Sequence, residues 1–188
     1  MKEAMEPIRL FVLNEFNYPK FRSQIISLYL HAFTKGEQAQ YIDPQEAEII
    51  LDKMVRSNMG LMAFTGDRLA GVVLGLPLKH DGEFPANEVP AIALDTTLYI
   101  AELMVHADLR GRGVATALIN DLMTRAAGSY TDAVIRVWDE NRPALSLYGK
   151  LGFLPVATIR QTKKQVSGKS FEMKKIYLHK HLSKSPPA

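Results

Sequence analysis

The stretch DLRGRGVAT, Asp108 to Thr116, sets two arginines and two glycines just before an apolar-striped segment. Val114, Leu118, Ile119, Leu122 and Ala126 recur at helical spacing, so the glycines stand at the mouth of a helix that starts near Arg112 or Gly113. Glycine in such a place costs stability unless bare backbone is needed. Unpaired N–H groups at a helix start point outward, and the helix dipole adds partial positive charge there. With Arg110 and Arg112 alongside, the turn can cradle a phosphate or a pyrophosphate. It is not a Walker loop, because the lysine and its spacing are missing. A dinucleotide fingerprint fits poorly too: Thr116 stands where a third small residue belongs, and Asp132 begins the next strand instead of ending it. Read alone, the turn could also be a helix start that merely contains glycines.

Such a cradle needs a sheet to hold it. Strand-like runs are read at Ile8–Asn14, on both sides of Gly66-Asp67 as a hairpin, at Leu98–Val105 and at Asp132–Trp138. A closing pair, FLPVATIRQT and KSFEMKKIYL, is read around VSGK. Helical periodicity marks Tyr18–Phe33, with Phe21, Ile25, Leu28, Tyr29 and Ala32 on one face. A second helix follows Asp43 as cap and Pro44 at its first position, and a short one runs from Asn141 to a stop at Gly152. The order β-α-α-β-β-β-α-β-α-β-β predicts a mixed α/β (α+β) fold, with helices on both faces of a central sheet. Lys79–Thr97 is long for a hairpin connection and is read as a surface excursion with some order of its own.

The chain of 188 residues, 47% hydrophobic and 23% charged, is the size of one domain. It contains no cysteine, which removes disulfides, thiolate nucleophiles and cysteine metal sites and fits a reducing cytoplasm. No run approaches the roughly 20 apolar residues of a membrane span. The first residues, MKEAMEPIRLFVL, do not read as a signal peptide. Net charge is +3, but from Arg160 onward eight basic residues face one acid, Glu172. That reads as the solvated face of a hairpin or as a region attracting a phosphorylated ligand. Aromatics there are too sparse, and a basic helix is lacking, for a nucleic-acid partner. His31 and His80 have no metal-ligand spacing, and no metal is expected.

The segment Arg110-Gly-Arg-Gly-Val-Ala115 fits the pattern Arg/Gln-x-x-Gly-x-Gly/Ala, follows the strand YIAELMV, and is followed further on by NRPALSLYGKLGF. This ordered set resembles the GNAT superfamily of N-acetyltransferases, which use acetyl-coenzyme A. The resemblance runs from Leu98 to about Ile159. It implies a GNAT-like, mostly antiparallel sheet in which the strand before the turn carries a bulge and splays from its neighbour, in one acetyltransferase domain spanning 1–188. The coenzyme-binding core would be about 98–159, the acceptor side would come from 15–58 and the 79–97 loop, and 183–188 would be a loose tail.

Carried over, the resemblance places the coenzyme's pyrophosphate on the backbone N–H groups of Arg110, Gly111, Arg112, Gly113, Val114 and Ala115, with the Thr116 hydroxyl able to add a bond. It lays the pantetheine arm along Leu103, Met104 and Val105, as a ligand adding to a strand edge. Asn141 and Tyr148 would stand near the pantetheine and the thioester. An alkyl ammonium acceptor holds its proton up to a pKa of roughly 10, so a base is required, and Glu102 is the candidate. An N–H near Leu103 would stabilise the developing oxyanion, and Tyr148 would return a proton to the leaving thiolate. Each residue has a plainer reading: Tyr148 as a core tyrosine, Asn141 as a helix cap, Glu102 as a solvated or salt-bridged acid. The implied activity is acetyl transfer to a primary amine in a ternary complex. The alternative is a coenzyme A-binding sensor or interaction module without catalysis. Pairing of two copies is permitted by an open sheet edge. If the loop acids Asp81, Glu83, Glu88 and Asp95 line the mouth, a cationic amine is favoured.

Overall fold

The computed structural model describes residues 6–34, 40–57 and 59–182; the expected tail at 183–188 lies outside them. The elements follow the expected order: β1 Ile8–Leu13, α1 Tyr18–Thr34, α2 Pro44–Val55, β2 Met59–Thr65, β3 Arg68–Pro77, β4 Thr97–Val105, α3 Val114–Ala126, β5 Asp132–Trp138, α4 Arg142–Lys150, β6 Leu154–Lys164 and β7 Ser170–His181. They form one seven-stranded sheet in the order β1-β2-β3-β4-β5-β7-β6. Every neighbouring pair is antiparallel except β4 and β5, which run parallel.

Local chemistry explains most boundaries. The Asp43 carboxylate accepts from the N–H groups of Gln45 at 2.8 Å and Glu46 at 3.3 Å, and Pro44 follows as the first helical residue. Gly66 takes a φ of 57° in the two-residue turn between β2 and β3. Helix α3 begins at Val114, slightly later than the sequence suggests, because Gly113 is its cap.

The two faces of the sheet are covered differently. On one, Val114, Leu118, Ile119 and Leu122 of α3 and Tyr148 of α4 pack with Leu61, Val73, Ile100, Ile135 and Val137. On the other, Ile25 and Leu28 of α1 and Ala47 and Leu51 of α2 cover Met62, Val72, Leu74 and Met104. The helices stop short of β5, and there the excursion takes over: Leu78, Phe84 and Ile92 are buried against Tyr99, Val134 and Tyr177. Gly71 lets α3 approach this closely. A Cβ there would lie 2.7 Å from the Met104 carbonyl oxygen and 3.1 Å from the Val114 side chain.

The excursion is tied down by charge. Arg136 of β5 meets Glu83 at 2.7 Å, Asp81 at 3.6 Å and the Tyr177 hydroxyl at 3.0 Å, while Tyr177 donates to Asp81 at 2.7 Å. Gln161 of β6 also donates to Glu83, and Lys79 pairs with Asp95 at 2.9 Å. Burial opposes ionisation of Glu83, but the Gln161 amide and the Arg136 guanidinium outweigh it and hold that carboxyl below its usual range. The expectation that these acids would draw a cationic amine is therefore corrected: Asp81, Glu83 and Asp95 are spent on internal partners.

Candidate active site

Strand β4 carries an irregularity at the centre of the sheet. Leu74 of β3 stands opposite Glu102, but Gly75 stands opposite Ile100, so Ala101 is an extra residue. A strand otherwise alternates faces, and the bulge lets Ala101 and Glu102 share the face that carries Tyr99 and Met104. On its other side β4 pairs with β5 only from Thr97↔Asp132 to Ile100↔Ile135. Beyond that the strands part. Leu103, Met104 and Val105 keep their pairs with Val73, Val72 and Gly71 of β3, while among the described residues no strand pairs with their outer edge. Met104 buries its side chain under α1 and α2, whereas Leu103 and Val105 pack towards α3.

The open edge leads to the glycine turn. Gly111 and Gly113 have φ values of 72° and 84°, a left-handed backbone that side-chain-bearing residues rarely adopt. A Cβ at either position would meet nothing within 4 Å, so close packing is not what requires glycine there. The first bond of α3 runs from the Ala117 N–H to the Gly113 carbonyl at 2.9 Å. The N–H groups of Val114, Ala115 and Thr116 thus have no helical acceptor, and the Gly113 cap has no side chain to offer one. Arg110 differs, since its N–H turns back to the Ala107 carbonyl at 3.4 Å. Both arginine side chains belong to exposed residues.

Around the gap stand groups with unusual proton affinities. Glu102 is half-buried and makes no hydrogen bond or ion pair among the described residues; burial pushes its pKa up to about 7, against the pull of Lys175, Arg136 and Lys163. Tyr148, on the opposite face, has a buried ring packed edge-on to Phe153 at 6.3 Å. Burial first, and the Glu102 charge second, raise its hydroxyl above the usual phenol range. That hydroxyl has no hydrogen bond. Since no buried side-chain oxygen or nitrogen lacks a partner among the described residues, it opens on solvent. Asn141 caps α4, its side-chain oxygen accepting from the Ala144 N–H at 3.3 Å.

Lys175 was not singled out from the sequence. It pairs in register with Trp138 of β5 and Ile159 of β6, on the Glu102 side of the sheet with Met173 and Tyr177. Burial, with Arg136 and Lys163 nearby, lowers its pKa to about 8. The signal was available: in FEMKKIY, Phe171, Met173, Lys175 and Tyr177 alternate, which places a lysine on an inward-facing position. The acceptor-side elements also meet here. The Tyr41 N–H, between α1 and α2, donates to the Lys164 carbonyl of β6 at 2.8 Å. On α1 and α2, Arg22 binds Asp52 at 3.0 Å and Glu48 at 2.9 Å, joining the two helices.

Two other features stand apart. Asp132 accepts from His179 at 2.7 Å and contacts His181 at 2.5 Å, a set of ligand types that could hold a metal ion. It sits at the start of β5, where β4 and β5 are still paired, away from the gap. A hollow of about 360 Å³ between α1 and the β2–β3 turn, lined by Ser27, Arg68 and His106, contains none of the groups above.

The chain matches the model of the "Acetyltransferase (GNAT) family" over residues 22–153. Among solved structures, the Acinetobacter baylyi protein ACIAD1637 superposes with a TM-score of 0.73 at 20% identity, covering 100% of this chain and 99% of its own. The Salmonella typhimurium protein yncA, solved with its cofactor acetyl-CoA, gives 0.67 at 14% identity, covering 97% of this chain and 98% of its own. Arabidopsis thaliana NAA60, in complex with a bisubstrate analogue, gives 0.67 at 17% identity, covering 95% of this chain and 100% of its own. None of the curated proteins matches the chain. The family match spans both the parted strands and the glycine turn, and the chain belongs to the GNAT acetyltransferases, an acyltransferase family.

Proposed function

We propose that this protein moves the acetyl group of acetyl-CoA to a primary amine by direct attack, with both substrates bound together. The observation that carries this reading is the open outer edge of β4. It runs from the unsatisfied amides of α3 to the gap where Glu102 and Tyr148 stand unpartnered. The yncA complex with acetyl-CoA and the NAA60 complex with a bisubstrate analogue support a two-substrate cleft in relatives of this fold.

In this reading the N–H groups of Gly111 to Thr116 hold the pyrophosphate, with the arginine side chains adding charge. Leu103 and Val105 offer outward backbone partners to the pantetheine arm, while Met104 between them turns its N–H and C=O to β3, in step with the His106 N–H that donates to the Ala70 carbonyl. Bound acetyl-CoA supplies an activated carbonyl. Glu102 takes the proton of the acceptor ammonium, and its affinity near pH 7 suits that task. The N–H at Leu103 donates to the carbonyl oxygen as negative charge builds there. When the new C–N bond has formed and the C–S bond breaks, the Tyr148 hydroxyl gives its proton to the sulfur, and the second proton shed by the nitrogen returns through water to the Tyr148 oxygen. Asn141 keeps α4 in place by capping it. The chain from 1 to 188 acts as one acetyltransferase domain, and its lack of cysteine suits the cytoplasm.

The test is release of free coenzyme A thiol from acetyl-CoA across a panel of amines, with the acetylated product weighed by mass spectrometry. Thiol release that needs an amine, and a product heavier by one acetyl group, is the expected result. Tight acetyl-CoA binding with no release for any amine would instead mark a sensor module.

A further inference from the structure

Glu102 and Lys175 lie on the same side of the sheet, on either side of the opening between β4 and β5. Glu102 sits just past the last residue of β4 that pairs with β5, and Lys175 faces Trp138, the last residue of β5. Both are half-buried. Neither makes a hydrogen bond, and no carboxylate lies within 4.0 Å of the Lys175 ammonium among the described residues. Yet each senses the other's charge.

Most of the other charges on this face have partners. Arg136 is held by Asp81 and Glu83, and Glu83 is further held by Gln161. Lys163 of β6, on the same face as Gln161, adds a second ammonium without an ion pair. Lys174 points to the opposite face, near Asp139 at 3.9 Å. What is left without an ion pair is the Glu102 carboxyl on β4 and the ammonium groups of Lys175 and Lys163, of which Lys175 faces the last residue of β5.

Partly desolvated charges of opposite sign, held apart, cost free energy unless a ligand completes both. A simple cationic amine would satisfy Glu102 and be repelled by Lys175. An apolar amine would leave Lys175 desolvated without a partner. A ligand with both an ammonium and an anionic group satisfies the two at once. We propose that the acceptor is a small zwitterionic amine of the amino-acid type, its amine directed to Glu102 and its carboxylate bound by the Lys175 ammonium. This rests on the reading above, in which Glu102 faces the acceptor nitrogen. It makes Lys175 a specificity-determining residue.

The experiment offers acetyl-CoA with matched acceptors: each common amino acid beside the amine left when its carboxylate is removed. The readout is the ratio of kcat/KM for the acid to that for its amine. At least one pair should favour the acid by about ten- to a hundredfold, the range a charge-assisted hydrogen bond provides. In Lys175→Met that ratio should fall towards one, mainly through KM of the acid. Lys175→Arg, which keeps the charge and guards against a folding defect, should retain most of the preference. The proposal is overturned if amines match or surpass their acids in every pair, if no acid is turned over, or if the ratio survives in Lys175→Met. A separate failure stays visible: an acid preference that persists while Glu102→Gln keeps full rate and pH profile would refute the base and leave Lys175 standing.

Discussion

The charge of Glu102 reaches the Tyr148 hydroxyl although the two side chains belong to opposite faces of the sheet. Both stand at the place where the sheet opens: β4 and β5 stop pairing after Ile100 and Ile135. The base and the acid of the proposed transfer therefore work from the two sides of one gap.

Glu102 should shape the pH profile. Its carboxyl, raised to about 7 by burial, must be ionised to accept a proton, so kcat should rise with pH through about 7 and level off above. Glu102→Gln should lower kcat by about 10²- to 10⁴-fold and abolish that limb. Stability should move the other way. A carboxyl whose folded pKa exceeds its unfolded value binds more protons when folded, so the protein loses stability as pH rises from about 4.5 to 7. At pH 8 Glu102→Gln should consequently be more stable than the wild type, by up to about 3 kcal/mol, in urea unfolding followed by circular dichroism.

Tyr148→Phe separates chemistry from packing. The ring is buried against Phe153, but the hydroxyl has no internal hydrogen bond to lose. The unfolding free energy should change by less than about 1 kcal/mol, while kcat falls about a hundredfold or more. Equal loss of stability and activity would assign Tyr148 to the core alone.

Much of this site was legible in the sequence because it is built from local patterns. The glycine turn and its helix follow from residue types at fixed spacing, and the capping roles of Asp43 and Asn141 follow from one side chain each. The bulge in β4 is implied by the family resemblance, but the strand's own residue pattern does not locate it at Ala101, because a bulge is set by the register against β3. The loop acids misled for a related reason. Asp81 and Glu83 read as surface charge, and only the fold brings Arg136, Tyr177 and Gln161 to them across long stretches of chain. Lys175 stands in a segment rich in lysine, where its inward alternation with Phe171, Met173 and Tyr177 is masked by the outward charges beside it.

The glycine turn should tolerate side chains poorly for two distinct reasons. At Gly113, φ 84° in a cap position, alanine adopts a strained conformation costing about 1 kcal/mol. At Gly111, φ 72°, the strain is similar, and an added side chain would enter open space, with nothing within 4 Å, on the side proposed for the pyrophosphate. Gly111→Val should raise KM for acetyl-CoA about tenfold or more, with much less effect on KM for the amine. Equal effects on both substrates would argue that the turn does not hold the pyrophosphate.

Arg136 should act on the acceptor side at a distance from the coenzyme. Its side chain is 19% exposed and Asp81's is 6%, so removing the guanidinium leaves a nearly buried carboxylate without its cation. Arg136→Met should cost about 3 kcal/mol in unfolding and loosen the excursion, detectable as faster amide exchange at Asp81 to Phe84. The amides of Val114 to Thr116, in the first turn of α3 on the other face of the sheet, should keep their exchange rates, and KM for acetyl-CoA should change little. KM for the amine should rise, because Arg136 fixes the wall that stands beside Lys175. Were acetyl-CoA and amine affected alike, the excursion would be part of the coenzyme cleft, and the division of the site between β4's open edge and the β5–β7 face would have to be redrawn.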